Sequence, residues 1–355
     1  MSGLPLAVLL LIFAAAAAAI WVAGVQLSDQ TDVLSTRLHL GSAHGGLILL
    51  AVATNLPEIA IVVSAAAAGN VDVAVGNILG GIAIQTVVLV ALDAFGVRGA
   101  HPLTYRAASV VLVLEALLVV SVLAVVVASS QLPASLIAFR LTPGPVLIAV
   151  IWVVGLLLLQ RAGHTLPWHE SGEAPDNQDK PRGHSQQQTE ADASAKGVST
   201  ARAGVVFGVA ALVTLVAGVV LERSGDEIAG HIGLSGVLFG ATVLAAATSL
   251  PELSTGLTSV RAGDYQLAMS DIFGGNAFLP VLFLVATLVS GQAVLPHAHD
   301  TDIYLTAVAM LLTLVYATGL LFRPGRRVAR MGLDSVVVLV LYAVGVAGLF
   351  AIASA

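Results

Sequence analysis

Long apolar stretches separated by short polar segments make up most of the chain. A helix that crosses the hydrocarbon core of a membrane needs about 20 mostly apolar residues, and ten stretches of about that length follow one another. The pattern predicts an all-α membrane protein with ten transmembrane helices. These predicted helices cover approximately residues 4–26, 40–66, 71–94, 105–129, 143–160, 202–223, 232–260, 265–291, 302–322 and 333–354.

One polar segment is much longer than the others. Residues 161–201 contain three prolines and almost no aliphatic run, which predicts a flexible linker. This linker separates a first five-helix half, residues 1–160, from a second half, residues 202–355. The three histidines of the linker match no compact set of metal ligands, so a solvated loop is favoured over a metal-binding tract.

Composition excludes several classes of protein. Hydrophobic residues make up 57% of the chain and charged residues only 10%, whereas a soluble domain carries roughly 25% charged residues. This composition excludes a soluble enzyme and a disordered chain, and it predicts a lipid bilayer as the surroundings. A net charge of −6 with two lysines excludes nucleic acid as a partner. The lack of cysteine excludes a disulfide framework and a cysteine nucleophile.

The distribution of arginine and lysine predicts the orientation in the membrane. With ten helices, 13 of the 15 basic residues fall on one side, and only Arg140 and Arg223 fall on the other. Such a bias marks the cytoplasmic side of a membrane protein. We therefore expect an inner (plasma) membrane protein with both termini outside and the 161–201 linker in the cytoplasm.

A sequence repeat relates the two halves. Residues 53–59 read ATNLPEI and residues 247–253 read ATSLPEL, at an offset of 194 positions. The two copies stay in register over residues 53–85 and 247–279. Because each half has five helices, an odd number, the second copy enters the membrane from the opposite side. Inverted repeats of this kind are common in secondary transporters, whose binding sites lie near the midplane.

Each copy of the repeat carries a glutamate in the middle of a predicted helix. A carboxylate at that depth costs about 2.5–3.5 kcal/mol on insertion scales, so Glu58 and Glu252 need water, a proton or a cation. Each glutamate follows a proline, which has no N–H and leaves carbonyl oxygens one turn earlier without their usual donor. Such oxygens suit a hard cation like Ca²⁺, which takes about 6–8 of them. The candidate ligands are the two glutamates and the oxygen-bearing residues Ala53, Thr54, Asn55, Ala247, Thr248 and Ser249.

Buried acids in membrane helices also have structural explanations. A proline-kinked helix can direct its glutamate into a water-filled crevice without binding an ion, but two copies in symmetric positions favour an ion site. Glu115 lies midway along the fourth predicted helix. It is a proton-relay group, a contact between subunits, or a protonated acid hydrogen-bonded to a neighbouring helix. The last explanation is favoured because the matching helix of the second half has no acid.

The paired motifs resemble those of the cation/calcium exchanger superfamily, which includes the sodium/calcium exchangers. Members of that superfamily have ten helices in two inverted halves, each with a G-T-S-L-P-E-like motif and then a G-N-x-x-G-S-N-x-x-N-like motif. Here ATNLPE and ATSLPE are similar to the first motif, and GNILGGIAIQ (76–85) and SDIFGGNAFL (270–279) match the second in part. The resemblance implies that the two repeat glutamates are the central cation ligands and that Thr54 and Thr248 contribute oxygens. It also implies alternating access, in which the first and sixth helices slide past a fixed core.

The second motif departs from the family pattern. Gly81 and Gly275 replace a serine that helps to build sodium sites in the family, and the last polar position is Gln85 in one copy but Leu279 in the other. We therefore expect an intact central diglutamate site beside an incomplete set of sodium sites.

Three polar residues of the second motif extend the list of candidate ligands: Gln85, Asn276 and Asp271. Asp271 lies one helical turn before Gly275. If it faces the site, it gives the second copy two acids, and if it faces the cytoplasmic mouth, it is a ligand for cations that arrive from that side.

These features together predict a secondary active antiporter. It exchanges Ca²⁺ or another cation for Na⁺ or H⁺, with no cofactor beyond the transported ions and no enzymatic activity. The main alternative is a cation/proton exchanger without sodium coupling. Less favoured are a membrane-embedded enzyme, for which Asp93 and Asp271 would be the acid pair, a channel, and a relative that has lost transport.

Overall fold

The computed structural model describes residues 3–37, 52–165, 199–233 and 239–353, which are mostly α-helical. The helices are α1 (Leu6–Arg37), α2 (Leu56–Ala67), α3 (Val71–Ala91), α4 (Leu103–Ala107), α5 (Val110–Ser130), α6 (Pro143–Thr165), α7 (Thr200–Ile232), α8 (Ala245–Thr248), α9 (Leu250–Ala262), α10 (Tyr265–Phe278), α11 (Leu282–Ser290), α12 (Asp300–Phe322) and α13 (Leu333–Ala353). Shorter turns are the π-helical Leu92–Gly96 and Gly240–Leu244 and the 3₁₀-helical Leu279–Val281 and Leu295–His297.

Eight helical stretches in the described part of the chain are long and apolar enough to cross a membrane. They are α1, α3 with the π turn that follows it, α5, α6, α7, α10 with α11, α12 and α13. These stretches correspond to eight of the ten predicted membrane helices. The prediction of a mostly helical chain with long apolar helices is therefore confirmed.

The helix before each repeat glutamate breaks at a single residue. Asn55 (φ −87°, ψ 13°) separates the helical residues 52–54 from α2, and Ser249 (φ −81°, ψ 7°) separates α8 from α9. Both α2 and α9 have a proline in their first turn, a position at which proline is well tolerated. The remainder of these two predicted membrane helices falls on residues 38–51 and 234–238, which lie outside the described residues.

The predicted linker is shorter than the sequence suggests. Helix α6 continues to Thr165 and α7 begins at Thr200, so both ends of the 161–201 segment are helical. Polar residues at the ends of a membrane helix extend it into water, and hydropathy does not detect this extension. Residues 166–198 lie outside the described residues.

A small β-structure interrupts the predicted all-α fold. Strands β1 (Arg327–Val328) and β2 (Met331–Gly332) pair antiparallel between α12 and α13. Ala329 and Arg330 connect them, both with positive φ, of 50° and 72°. A two-residue turn with positive φ at both positions is the usual connection in a tight hairpin.

The helices divide into a buried centre and a more exposed pair. Helices α3, α10 and α11 lie in the centre, within one large apolar cluster. Helices α1 and α7 pack along each other and contribute to separate, smaller clusters. Helix α1 also packs on α9, and α7 packs on α2. The first helix of each half therefore covers the motif helix of the other half.

Two glycines allow this close covering. A Cβ atom built on Gly24 would lie 2.8 Å from the Cβ of Pro251, and one built on Gly218 would lie 3.0 Å from the carbonyl oxygen of Pro57. Residues 24 and 218 are separated by the same 194 positions as the motif copies. The repeat therefore extends to the first helix of each half, and it places a glycine against each motif proline.

Candidate cation site

The two repeat glutamates meet at the amide of a glutamine on α3. Gln85 Nε2 lies 3.5 Å from Glu58 Oε1 and 3.3 Å from Glu252 Oε1, and it also donates to Asn55 Oδ1 at 3.3 Å. All four side chains are fully buried. Side chains that are distant in sequence, from both halves of the chain, therefore converge on one point.

The convergence point is rich in oxygen and poor in donors. Glu58 Oε2, Glu252 Oε2 and Gln85 Oε1 have no hydrogen-bond partner among the described residues. Within the same part of the chain, neither glutamate forms a salt bridge with lysine or arginine. Two buried carboxylates cannot both remain ionised without a compensating positive charge. The arrangement is therefore chemically suited to a cation or to protons.

The helix breaks supply further oxygens near the glutamates. Proline at positions 57 and 251 cannot donate to the carbonyl groups of Ala53 and Ala247, four residues earlier. The hydroxyl groups of Thr248 and Ser249 donate back to the Ala245 carbonyl, at 3.1 and 2.8 Å, so their oxygen lone pairs stay available. Thr248 also lies beside the Glu58 carboxylate of the other half.

The sequence profile of the family described as "Sodium/calcium exchanger protein" matches residues 8–160 and 202–351. The chain belongs to this exchanger family. The family consists of membrane transporters, and the resemblance inferred from the motifs is confirmed.

Known relatives agree with the family and the fold. Inner membrane protein YrbG of Escherichia coli K12 is 26% identical over 279 residues, which cover 77% of this chain and 76% of YrbG. The solved H⁺/Ca²⁺ exchanger CAX has a TM-score of 0.65 at 14% identity, with 96% of this chain and 82% of CAX covered. The sodium-calcium exchanger NCX_Mj has a TM-score of 0.61 at 14% identity, with 97% and 99% covered. At such low identity the two solved structures indicate a shared fold.

The structure explains one departure from the exchanger motif. A Cβ atom on Gly275 would lie 2.9 Å from Asn55 Nδ2 and 3.4 Å from Gln85 Oε1. The space that a serine side chain would need is therefore filled by two amides. At the equivalent position, a Cβ atom on Gly81 would have ordinary contact with Leu279, at 3.5 Å. The two amides that fill the space beside Gly275 both come from the first half, whereas the neighbour of Gly81 is apolar.

Two predicted ligands lie beside the convergence point and bind other partners. Asn276 Nδ2 donates to Thr86 Oγ1 at 3.1 Å, which joins α10 to α3. Asp271 Oδ2 accepts a hydrogen bond of 2.8 Å from Thr255 Oγ1. Thr86 and Thr255 were not predicted from the sequence. The available signal was their spacing, one residue after Gln85 and three after Glu252.

Two other buried acids have structural partners. Glu115 Oε1 accepts a hydrogen bond from Ser270 on α10 at 2.8 Å. Asp93 accepts hydrogen bonds from the backbone N–H groups of Leu103 and Gly332, at 2.9 and 2.6 Å, and from Ser335 Oγ at 2.8 Å. Asp93 therefore anchors the segments before α4 and α13, whereas Asp271 binds Thr255. The two aspartates therefore have different hydrogen-bond partners.

Proposed function

We propose that this protein is a secondary antiporter that exchanges Ca²⁺, or a cation of similar chemistry, at the site between Glu58 and Glu252. The observation that carries the proposal is the shared contact of both buried glutamates with Gln85 Nε2. Two carboxylates balance the charge of one divalent ion, and oxygen ligands are the ones that Ca²⁺ prefers. The inorganic cation is the substrate, and no further cofactor is required.

The proposed ligand set combines side-chain and backbone oxygens. The two glutamates form its centre, and the remaining ligands are drawn from Ala53, Thr54, Asn55, Gln85, Ala247, Thr248, Ser249 and Asn276. The helix breaks at Asn55 and Ser249 support this set, because they lie one turn or less from each glutamate. Broken membrane helices commonly form ion sites in transporters.

The proposed topology has ten spans in two inverted five-helix halves. Eight continuous stretches and two interrupted segments, around Asn55 and Ser249, supply the ten spans. The excess of basic residues on one side supports cytoplasmic placement of that side, with the 161–201 linker inside and both termini outside.

We propose protons as the main coupling ion. Gly81 and Gly275 remove two hydroxyl groups that the family uses for sodium, whereas two carboxylates can bind either a cation or protons. CAX is named an H⁺/Ca²⁺ exchanger and NCX_Mj a sodium-calcium exchanger, so the shared fold is compatible with either coupling. Sodium coupling with fewer ions is the second candidate.

Transport in proteoliposomes tests the proposal. We expect Ca²⁺ uptake under an imposed proton gradient without sodium, and loss of uptake in Glu58→Gln and Glu252→Gln variants whose melting temperatures match the wild type. Asp72→Asn, an exposed acid at the start of α3, is the control and retains uptake.

Each alternative gives a different result in the same assay. Uptake that requires sodium and ignores the proton gradient would replace proton coupling with sodium coupling. Flux that needs no counter-ion would indicate a channel. Retained Ca²⁺ exchange in both glutamine variants would contradict the site itself.

A further inference from the structure

Asp271 contacts α9 one helical turn beyond Glu252, through Thr255. It is buried in α10, and its Oδ2 atom accepts a hydrogen bond from Thr255 Oγ1 at 2.8 Å. The same hydroxyl lies 3.2 Å from the backbone carbonyl oxygen of Glu252, three residues earlier on α9. Thr255 therefore links the Asp271 carboxylate to the backbone of Glu252. Glu252 also has one carboxylate oxygen without a partner in the described part of the chain.

The first half of the chain has no equivalent acid. At the offset of 194 positions, Asp271 corresponds to Asn77 and Thr255 corresponds to Ile61. Both of these residues are fully buried, like their counterparts. The glutamates are thus matched in the two halves, whereas a third carboxylate with a neighbouring hydroxyl is present in the second half alone.

The position of Asp271 along the helices assigns it to one side of the site. Helix α9 runs from Pro251 and Glu252 toward Arg261, and Thr255 lies farther along this direction than Glu252. Asp271 is therefore displaced from the glutamates toward the α9–α10 turn. In the proposed topology that turn faces the cytoplasm. The inverted repeat displaces Asn77 toward the opposite, outer side.

We propose that Asp271 makes the exchanger asymmetric by acting as a cation ligand on the cytoplasmic side of the central site. A divalent cation arriving from the cytoplasm meets the Asp271 carboxylate and the Thr255 hydroxyl before it reaches Glu252. A cation arriving from outside meets the neutral amide of Asn77 instead. This inference rests on the proposed function, and it assigns different apparent affinities to the two faces.

Sided transport kinetics in oriented proteoliposomes test the inference. We expect Asp271→Asn to raise the Ca²⁺ KM on the cytoplasmic side by about tenfold and to leave the outer KM within about twofold. We expect Asn77→Asp to lower the outer KM. A variant with both Asn77→Asp and Asp271→Asn should reverse the difference in KM between the two sides. Asn77→Asp adds an acid without removing one, so it tests the inference even if Asp271→Asn does not fold.

Two matched controls separate this effect from a general loss of acid. Glu115→Gln neutralises a buried acid that contacts Ser270, the residue next to Asp271, and Asp72→Asn neutralises an exposed one. Both should leave the KM unchanged on each side. Thr255→Val removes the hydrogen bond to Asp271 and keeps its charge, so it should retain most of the asymmetry.

The possible failures are distinguishable. Two outcomes would overturn this inference and leave the proposed function intact. In the first, Asp271→Asn changes the KM equally on both sides. In the second, Asp271→Asn changes neither KM and Asn77→Asp leaves the outer KM unchanged. Absence of exchange in the wild type, or retained exchange in Glu252→Gln, would overturn the proposed function instead.

Discussion

Gln85 marks a difference between the two repeat copies at the proposed site. Its amide nitrogen contacts both glutamates and Asn55, whereas Leu279 occupies the equivalent position in the second copy. A neutral donor can satisfy a carboxylate when no cation is bound, and its oxygen can face a cation when one is present. One amide thus serves both halves of the site.

Replacing Gln85 by leucine tests this role. We expect Gln85→Leu to weaken Ca²⁺ binding about tenfold, or about 1.4 kcal/mol, because an oxygen ligand and the contact with both glutamates are lost. Isothermal titration of the purified protein measures the change. Gln26→Leu, at an exposed position of α1, is the control for the same substitution. An unchanged Kd for Gln85→Leu would exclude the amide from the site.

For single residues, the sequence predicts some members of the candidate site and misses others, and the reason is physical. Glu58, Glu252 and Asn55 stand out because polar groups are costly in the middle of an apolar helix, and the repeat places them in corresponding positions. Thr86 and Thr255 carry no such signal, because a hydroxyl can bond its own helix backbone anywhere. Their partners depend on how neighbouring helices face each other, and the local sequence does not specify this.

Among the elements, the contacts of α1 with α9 and of α7 with α2 depend on glycine. A methyl group at Gly24 or Gly218 would be crowded, at 2.8 Å from the Pro251 Cβ and 3.0 Å from the Pro57 carbonyl oxygen. Gly204 and Gly208, on the same helix as Gly218, have open space around them.

These contrasting glycines give a prediction about stability. Gly24→Ala and Gly218→Ala should each destabilise the protein by about 1–3 kcal/mol, the usual range for overpacking. Gly204→Ala and Gly208→Ala should be neutral or stabilising, because alanine favours a helix over glycine by about 1 kcal/mol. Thermal unfolding in detergent compares the four variants. Equal melting temperatures for all four would contradict the close packing.

Continuous membrane helices are predictable from the sequence, but their contacts are not. The predicted segments 143–160 and 333–354 begin at the same residues as α6 and α13, because hydropathy is a local property. The glycine–proline contacts join residues more than 150 positions apart, so no local pattern indicates them. The equivalence of Gly24 and Gly218 under the repeat was the available signal.

For the whole molecule, the proposed topology makes a prediction that needs no transport assay. The chain has no cysteine, so single cysteines can be introduced without background. Ser135, between α5 and α6, and Gly325, between α12 and α13, are both exposed. A membrane-impermeant maleimide should label Ser135→Cys from outside the cell and Gly325→Cys only in inverted vesicles. Labelling of both from the same side would contradict the proposed arrangement.

The crossed packing of the two halves has a consequence for the origin of the molecule. The proposed site needs both halves, because α1 covers α9, α7 covers α2, and Gln85 of the first half contacts Glu252 of the second. On the proposed topology, an ancestral five-helix chain would have needed a second copy inserted in the opposite direction. Fusion of two such genes would have fixed one orientation for each copy. It would also have allowed the two copies to differ in sequence, as Gln85 differs from Leu279 and Asn77 from Asp271.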